Sequence, residues 1–158
     1  MNWKGRNGIR KGCEDVNTKL MFSSNKEDWG TPINLIRDLE NEYGKFTLDV
    51  CATPENAKCE RYFTKEQDGL KQSWQNEICW MNPPYGRTET GKWIKKAHEE
   101  CQTGNCVVFA LLPARTDTIW FHKYVYKNYA FLLLKGRIKF EGAKHGAPFP
   151  SMIVIFRI

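Results

Sequence analysis

Apolar positions along the chain follow two rhythms, and the alternation between them predicts the elements. Ile33, Leu35, Ile36 and Leu39 in "TPINLIRDLENEYG" fall on one stripe of a helix. Thr31 offers that helix a cap, Pro32 suits its first position, and Gly44 suits its stop. In "KFTLDVCAT" the period shortens to two, with Phe46, Leu48 and Val50 alternating, which predicts a strand. "PENAKCERYF" reads as a short helix and "QDGLKQSW" as a turn with one helical turn. "EICWM" is the next strand, and "TGKWIKKAHEECQTG" is a helix stopped at Gly104. "CVVFALLP" is apolar throughout, as a central strand covered on both faces would be. "TIWFHKYVYK" reads as helical. Two terminal strands follow, "YAFLLLKGRIKF", with a break at Gly136, and "SMIVIFRI", separated by "EGAKHGAPFP".

Strands alternating with helices predict an α/β fold: an open, mostly parallel sheet with helices on both faces. The last two strands are joined without a helix and are expected to form an antiparallel C-terminal edge. Residues 1–28 are polar and basic without a sustained period, which predicts an irregular arm ahead of a single domain at 29–158.

A length of 158 residues suits one compact domain rather than two, and 41% hydrophobic and 13% aromatic residues suit a packed core. No apolar run approaches the roughly 20 residues that span a bilayer, and the N-terminus lacks the apolar segment of a secretory signal. The six cysteines contain no Cys-x-x-Cys pair, and several sit inside apolar runs, so reduced thiols in a cytoplasmic protein are expected. His98, His122 and His145 are scattered without ligand spacing, so no metal site is expected. A net charge of +6 favours a polyanionic partner only mildly over an ordinary basic surface.

Ligands of open α/β sheets bind beyond the carboxyl ends of the strands. Two polar clusters fall there: Asp49 to Thr53 after the first strand, and Asn82-Pro83-Pro84-Tyr85 after "ICWM"; Asp68 lies in the loop between them. Asn82 brings a side-chain carbonyl, and Pro83 keeps its backbone carbonyl although it cannot donate. Together they offer two acceptors to an amino group. The double proline stiffens the turn, so the acceptors are preorganised, and Tyr85 supplies a flat face for stacking. The corner therefore suits an exocyclic amine on a planar ring; the competing interpretation is a rigid exit turn. Asp68 before Gly69 is equally a common turn pair. Past "CVVFALLP", Arg115 is expected near substrate, while Thr116 or Asp117 would cap the following helix. Phe140 is either a pocket wall or core. Arg87, Lys92, Lys95, Lys96, Lys135, Arg137 and Lys139 are candidates for phosphate contact; for Lys92, Lys95 and Lys96 the alternative is a solvated helix face.

"NPPY" after an apolar strand resembles the signature of amino methyltransferases. Taken with "WGTP", "FTLDVCATPENAKCERYFT", "DGL", "NPPYGR", "LLPARTDTIWFH", "KGRIKF" and "APFPSMIVIF", spanning residues 29–156, the chain resembles the phage-type (Dam-like) DNA N-6-adenine methyltransferases. The resemblance implies a compact methyltransferase fold, S-adenosylmethionine as cofactor, double-stranded DNA as partner, and a flipped-out adenine as methyl acceptor. It implies catalytic roles for Asn82, Pro83, Pro84 and Tyr85. For the cofactor it implies Asp49 on the methionine ammonium, Asp68 on the adenine amine, and Thr31 and Pro32, with Trp29, closing over the methionine end. Cys51, Ala52 and Asn82 would line the same site, and Asn56, Glu55 or Glu60 would reach the ribose. Tyr85, Arg87, Arg115 and Phe140 would meet the DNA. A monomer or weak homodimer is expected, in a bacterial or phage-infected cell. One departure stands out: the loop Cys51-Ala52-Thr53-Pro54 has none of the glycines usual in that position. Cytosine, an RNA base or a glutamine amide would suit the same corner, and a catalytically inactive nucleic-acid-binding relative would keep it as a turn.

Overall fold

The computed structural model describes residues 29–158; the expected N-terminal arm, residues 1–28, and Cys13 lie outside the described residues. Along the chain come α1 (Ile33–Tyr43), β1 (Leu48–Asp49), a 3-10 turn (Gly69–Lys71), β2 (Ile78–Met81), α2 (Glu89–Thr103), β3 (Val107–Pro113), a π-helical turn (Phe121–Val125), β4 (Ala130–Leu133) and β5 (Ser151–Phe156). The fold is α/β, and its five-stranded sheet has the order β1-β2-β3-β5-β4. β1, β2 and β3 are parallel. β5 runs antiparallel to both of its neighbours, β3 and β4. The reversed strand is thus internal, and β4 forms the outer edge.

β3 divides the core. Val108, Ala110 and Leu112 pack with Trp93, Ile94, Ala97 and Cys101 of α2 and with Met152, Val154 and Phe156 of β5. The intervening Phe109 and Leu111 pack with Ile36 and Leu39 of α1, and with Trp80, Phe140 and Ile153. This two-sided burial is why "CVVFALLP" carries no polar alternation.

Several expected elements are shorter or absent. The strand expected over "KFTLDVCAT" is only Leu48–Asp49. Phe46, Leu48 and Val50 are all buried, but Phe46 joins the α1 cluster while Leu48 and Val50 join the α2 cluster, so no single pleat runs through them. On the side of β1 away from β2, Asp49 pairs with the following loop, its N–H donating to Arg61 O and its carbonyl accepting from Phe63 N. "PENAKCERYF" is not helical. Asn56 and Ala57 N–H close a single turn on Thr53 O, but Lys58 N–H leaves that pattern for the side chain of Asp49, at Oδ2. Thr31 does not cap α1; Pro32 takes the N-cap position. The cap expected from Thr116 or Asp117 comes from Thr118, whose Oγ1 accepts from Phe121 N. The strand expected over "YAFLLLKGRIKF" ends at Leu133, and Gly136 turns with φ +77. Gly44 and Gly104 do end their helices, each donating to a carbonyl four residues back.

Candidate active site

A cavity of about 390 Å³ opens at the carboxyl ends of β1 and β2. That size lies in the range of about 300–1,000 Å³ typical of small-molecule sites. Of the residues expected around a cofactor, Trp29, Thr31, Asp49, Cys51, Ala52, Asn56, Asp68 and Asn82 line it, as does Pro84. Pro32 does not; it sits at the head of α1. Glu55 and Glu60 are exposed and outside the lining, leaving Asn56 as the ribose candidate that reaches it.

Asp49 is nearly fully buried, 3% exposed. Its carboxylate accepts from the backbone N–H groups of Lys58 (3.0 Å) and Cys51 (3.4 Å). Burial nevertheless pushes its pKa up to about 6, because these two donors and the nearby Lys58 charge only partly offset desolvation. A buried carboxylate in the wall of a cavity is a receptor for a positively charged group. The Cys51 thiol is pushed well up by burial and by the Asp49 charge, so it stays protonated and inert. Thr31 is buried, and among the described residues its Oγ1 has no hydrogen-bond partner. Buried hydroxyls rarely stay unpaired, and this one belongs to a residue of the cavity wall.

Asp68 shows the turn geometry that its place before Gly69 suggests, and it lies in the cavity wall. It adopts φ +52, its Oδ1 accepts from Leu70 N at 3.3 Å, and its Oδ2 pairs with Lys71 at 3.0 Å, so it is a turn residue that also lines the cavity. Gly69 explains how the site manages without a glycine in the Cys51–Pro54 loop. A Cβ on Gly69 would collide with the carbonyl oxygen of Val50 and press on the Trp93 ring. The close approach of two backbones is thus made from the opposite side. Gly69→Ala is expected to destabilise the fold by about 1–3 kcal/mol, the usual cost of overpacking a rigid contact, read as a lowered urea midpoint at unchanged m.

Asn82 stands at the mouth of the cavity, just past β2. Its Nδ2 donates to Trp29 O at 2.8 Å, which fixes the orientation of the amide. The Tyr85 hydroxyl lies 2.7 Å from Asn82 Oδ1 and 3.0 Å from Leu111 O, two acceptors for one proton. The Tyr85 ring packs edge-on against Phe149 and Phe140 and does not line the cavity. The stacking face expected of Tyr85 is therefore turned inward here. Pro83 is buried behind the corner. Thr90 of α2 ties the corner down, its Oγ1 lying 3.2 Å from Pro84 O and 3.1 Å from Gly86 O.

The residues expected to meet DNA are not gathered in this cavity. Phe140 is core, 5% exposed, against Trp29 and Tyr85. Arg87 is exposed on the β2–α2 loop, and Arg115 is half-buried beyond β3. Lys92, Lys95 and Lys96 each pair with a glutamate of α2 itself; the first two lie on a solvated helix face, whereas Lys96 is partly buried over the Trp74 ring. Lys135, Arg137 and Lys139 are exposed in the loop after β4. Sequence reasoning assigned no role to Gly30, Lys58, Gly69 and Trp93, among others of the cavity wall; Gly30, Lys58 and Gly69 did lie in the stretches "WGTP", "FTLDVCATPENAKCERYFT" and "DGL" that carry the resemblance. Among the described residues no group of side chains is arranged to hold a metal ion, and no helix is long and apolar enough to cross a membrane.

An α/β sheet with an acid-lined cavity and a rigid Asn-Pro-Pro-Tyr corner at its strand ends places the chain among amino-methyltransferase-like proteins. Residues 18–158 match the family model for DNA N-6-adenine-methyltransferase (Dam), and the chain belongs to that family. It is 36% identical over 115 residues to a DNA N-6-adenine-methyltransferase of Escherichia phage T1, covering 69% of this chain and 47% of that protein. It is 32% identical over 147 residues to a protein of the same name from Haemophilus phage HP1 (strain HP1c1), covering 89% and 82%. The chain thus spans about half the length of the phage T1 relative and most of the HP1 one.

Proposed function

We propose that this chain transfers a methyl group from S-adenosylmethionine to the N6 amine of a flipped-out adenine at specific sites in double-stranded DNA. The observation that carries this is the Asn82 carbonyl, held by the Trp29 bond at the mouth of a cavity floored by Asp49 and edged by Asp68. The family and the names of its phage relatives support the acceptor, and the two-sided sheet supports a methyltransferase fold with a helix on each face. Residues 29–158 act as the catalytic domain.

The cavity residues fit the cofactor. Asp49 suits its ammonium, Asp68 the adenine amine, and Asn56 the ribose; the unpaired Thr31 hydroxyl marks a polar end still wanting a partner. When bound, S-adenosylmethionine supplies an electrophilic methyl group on a cationic sulfur. The protein supplies the rest. Asn82 Oδ1 and the Pro83 carbonyl accept the two hydrogens of the target amine, which turns its lone pair out of ring conjugation toward the cavity. No side chain needs to remove a proton beforehand, because the amine is itself the nucleophile; the proton it sheds once methylated would pass to solvent, and the bonding pair would stay on the cofactor's sulfur as a neutral thioether. The acceleration comes from positioning and fixed dipoles. Tyr85 reaches a base only by turning its ring out of the Phe140–Phe149 pocket, which also releases the hydroxyl from Asn82. Base entry and exposure of the acceptor are then one event.

Asp49 makes the cofactor part testable by pH. Ammonium binding needs the carboxylate, so affinity for S-adenosylmethionine is expected to fall as pH drops through about 6. The stability of the free protein moves the other way on this group's account. Its folded pKa lies above the ordinary value of 3.8, so stability is gained as pH falls from about 6 toward 3.8 and lost as it rises. Calorimetric titration of the cofactor across that window checks this, and Asp49→Asn should flatten the profile while weakening binding. Absence of any S-adenosylmethionine binding would overturn the proposal.

A further inference from the structure

Lys58 is a lysine whose side chain is only 8% exposed, yet it lies in the wall of the cavity. Its backbone N–H holds Asp49 Oδ2 at 3.0 Å, so Lys58 and Asp49 sit side by side. Its Nζ pairs with Glu141 Oε2 at 2.9 Å, across a sequence separation of 83. Glu141 is in turn fixed by Gly30: its N–H donates to Gly30 O at 2.8 Å, and a Cβ on Gly30 would collide with its carboxylate. The next residue along is Thr31, whose buried Oγ1 has no hydrogen-bond partner among the described residues.

Burying a lysine is costly unless its charge is matched. Glu141 matches only part of it, because its side chain is 45% exposed and its charge is screened by water. An ammonium has three N–H donors, so one bond to Glu141 leaves capacity for an acceptor on the cavity side. The cavity therefore presents a buried anion and a buried cation next to each other, with a hydroxyl donor beside them. That pattern is complementary to a zwitterion, an α-ammonium with its α-carboxylate.

We propose that Lys58, with the Thr31 hydroxyl, holds the α-carboxylate of the cofactor's amino-acid end while Asp49 holds its ammonium. Lys58 is thereby the residue that selects S-adenosylmethionine over relatives lacking the carboxylate. The Lys58–Glu141–Gly30 clasp keeps the ammonium in place and ties the loop after β1 to the segment ahead of α1. This rests on the cofactor assignment above and extends it to one residue.

The test is equilibrium binding of two probes, S-adenosylmethionine and its decarboxylated form, to wild type, Lys58→Met and Lys58→Arg. Wild type should prefer the carboxylated ligand by about 10- to 100-fold, as expected for charge-assisted hydrogen bonds. In K58M the affinity for S-adenosylmethionine should fall by about that factor, while the decarboxylated ligand should bind within about threefold of wild type. K58R should recover most of the preference. A K58M protein that loses both ligands equally, or neither, overturns the proposal; equal loss is the signature of a purely structural lysine. Equal wild-type affinity for the two ligands overturns it without any variant, should K58M fold poorly. Wild type that binds neither ligand overturns the cofactor assignment itself, whereas good binding with an unmoved K58M overturns Lys58 alone.

Discussion

Replacing Asn82 with alanine is expected to lower the rate of methyl transfer by about a hundred- to a thousandfold, the usual loss when one preorganised polar group is removed from a transition-state site. The side chain does two jobs. Oδ1 is the acceptor, held here by the Tyr85 hydroxyl at 2.7 Å, and Nδ2 holds the carbonyl of Trp29 at 2.8 Å. Alanine removes both, but only the first concerns the reacting amine. The lost Trp29 bond should cost about 1 kcal/mol of stability, and the cofactor should still bind, because Asp49 and Asp68 come from other segments. Asn82→Asp separates the jobs. A carboxylate accepts but cannot donate, so it keeps an acceptor while facing the Trp29 carbonyl unfavourably. Its transfer rate should fall between those of wild type and the alanine variant. Single-turnover rates with cofactor bound in advance distinguish this from weakened binding.

Tyr85 should split in a way that identifies its working part. Tyr85→Ala is expected to reduce transfer by about 10- to 100-fold, from the roughly 1–3 kcal/mol that aromatic stacking gives a displaced base. It also removes a ring packed on Phe140 and Phe149, so its melting temperature should drop. Tyr85→Phe keeps the ring and loses the hydroxyl contacts to Asn82 and Leu111. If the ring turns outward to stack, this variant should transfer within a few-fold of wild type or faster, since nothing then competes for Asn82 Oδ1. A phenylalanine variant as slow as the alanine one would mean that the hydroxyl, by orienting Asn82, is what matters, and the outward turn would be wrong.

The parts of the site legible in the sequence were those whose chemistry is local. Pro83 and Pro84 announce a rigid corner wherever they stand, and a strand before them places that corner at a sheet end. Asp49 follows an apolar alternation and falls at the next strand end. The continuous run of β3 and the glycine stops at Gly44 and Gly104 likewise act through their own neighbours. What was not legible depends on contacts between distant segments. Lys58 reads as an ordinary surface lysine until Glu141 is brought to it. β1 is only two residues long, and on its side away from β2 Asp49 bonds to Arg61 and Phe63, a contact between segments that the local pattern does not announce. Gly69 reads as half of a turn pair, and only the fold reveals that Val50 leaves no room for a side chain. The inward set of Tyr85 depends on the aromatic pocket of Phe140 and Phe149, which comes from the far end of the chain.

The central claim is that the Asn82–Pro83 corner receives the N6 amine of adenine in DNA. It is tested most directly by incubating the protein with methyl-labelled S-adenosylmethionine and unmethylated double-stranded DNA, then digesting the DNA to nucleosides. The account predicts label in N6-methyladenosine of the deoxy series, at particular sequence contexts, and its loss in Asn82→Ala. Label in N4-methylcytosine, in RNA or in protein instead, or DNA binding with no transfer at all, would contradict it.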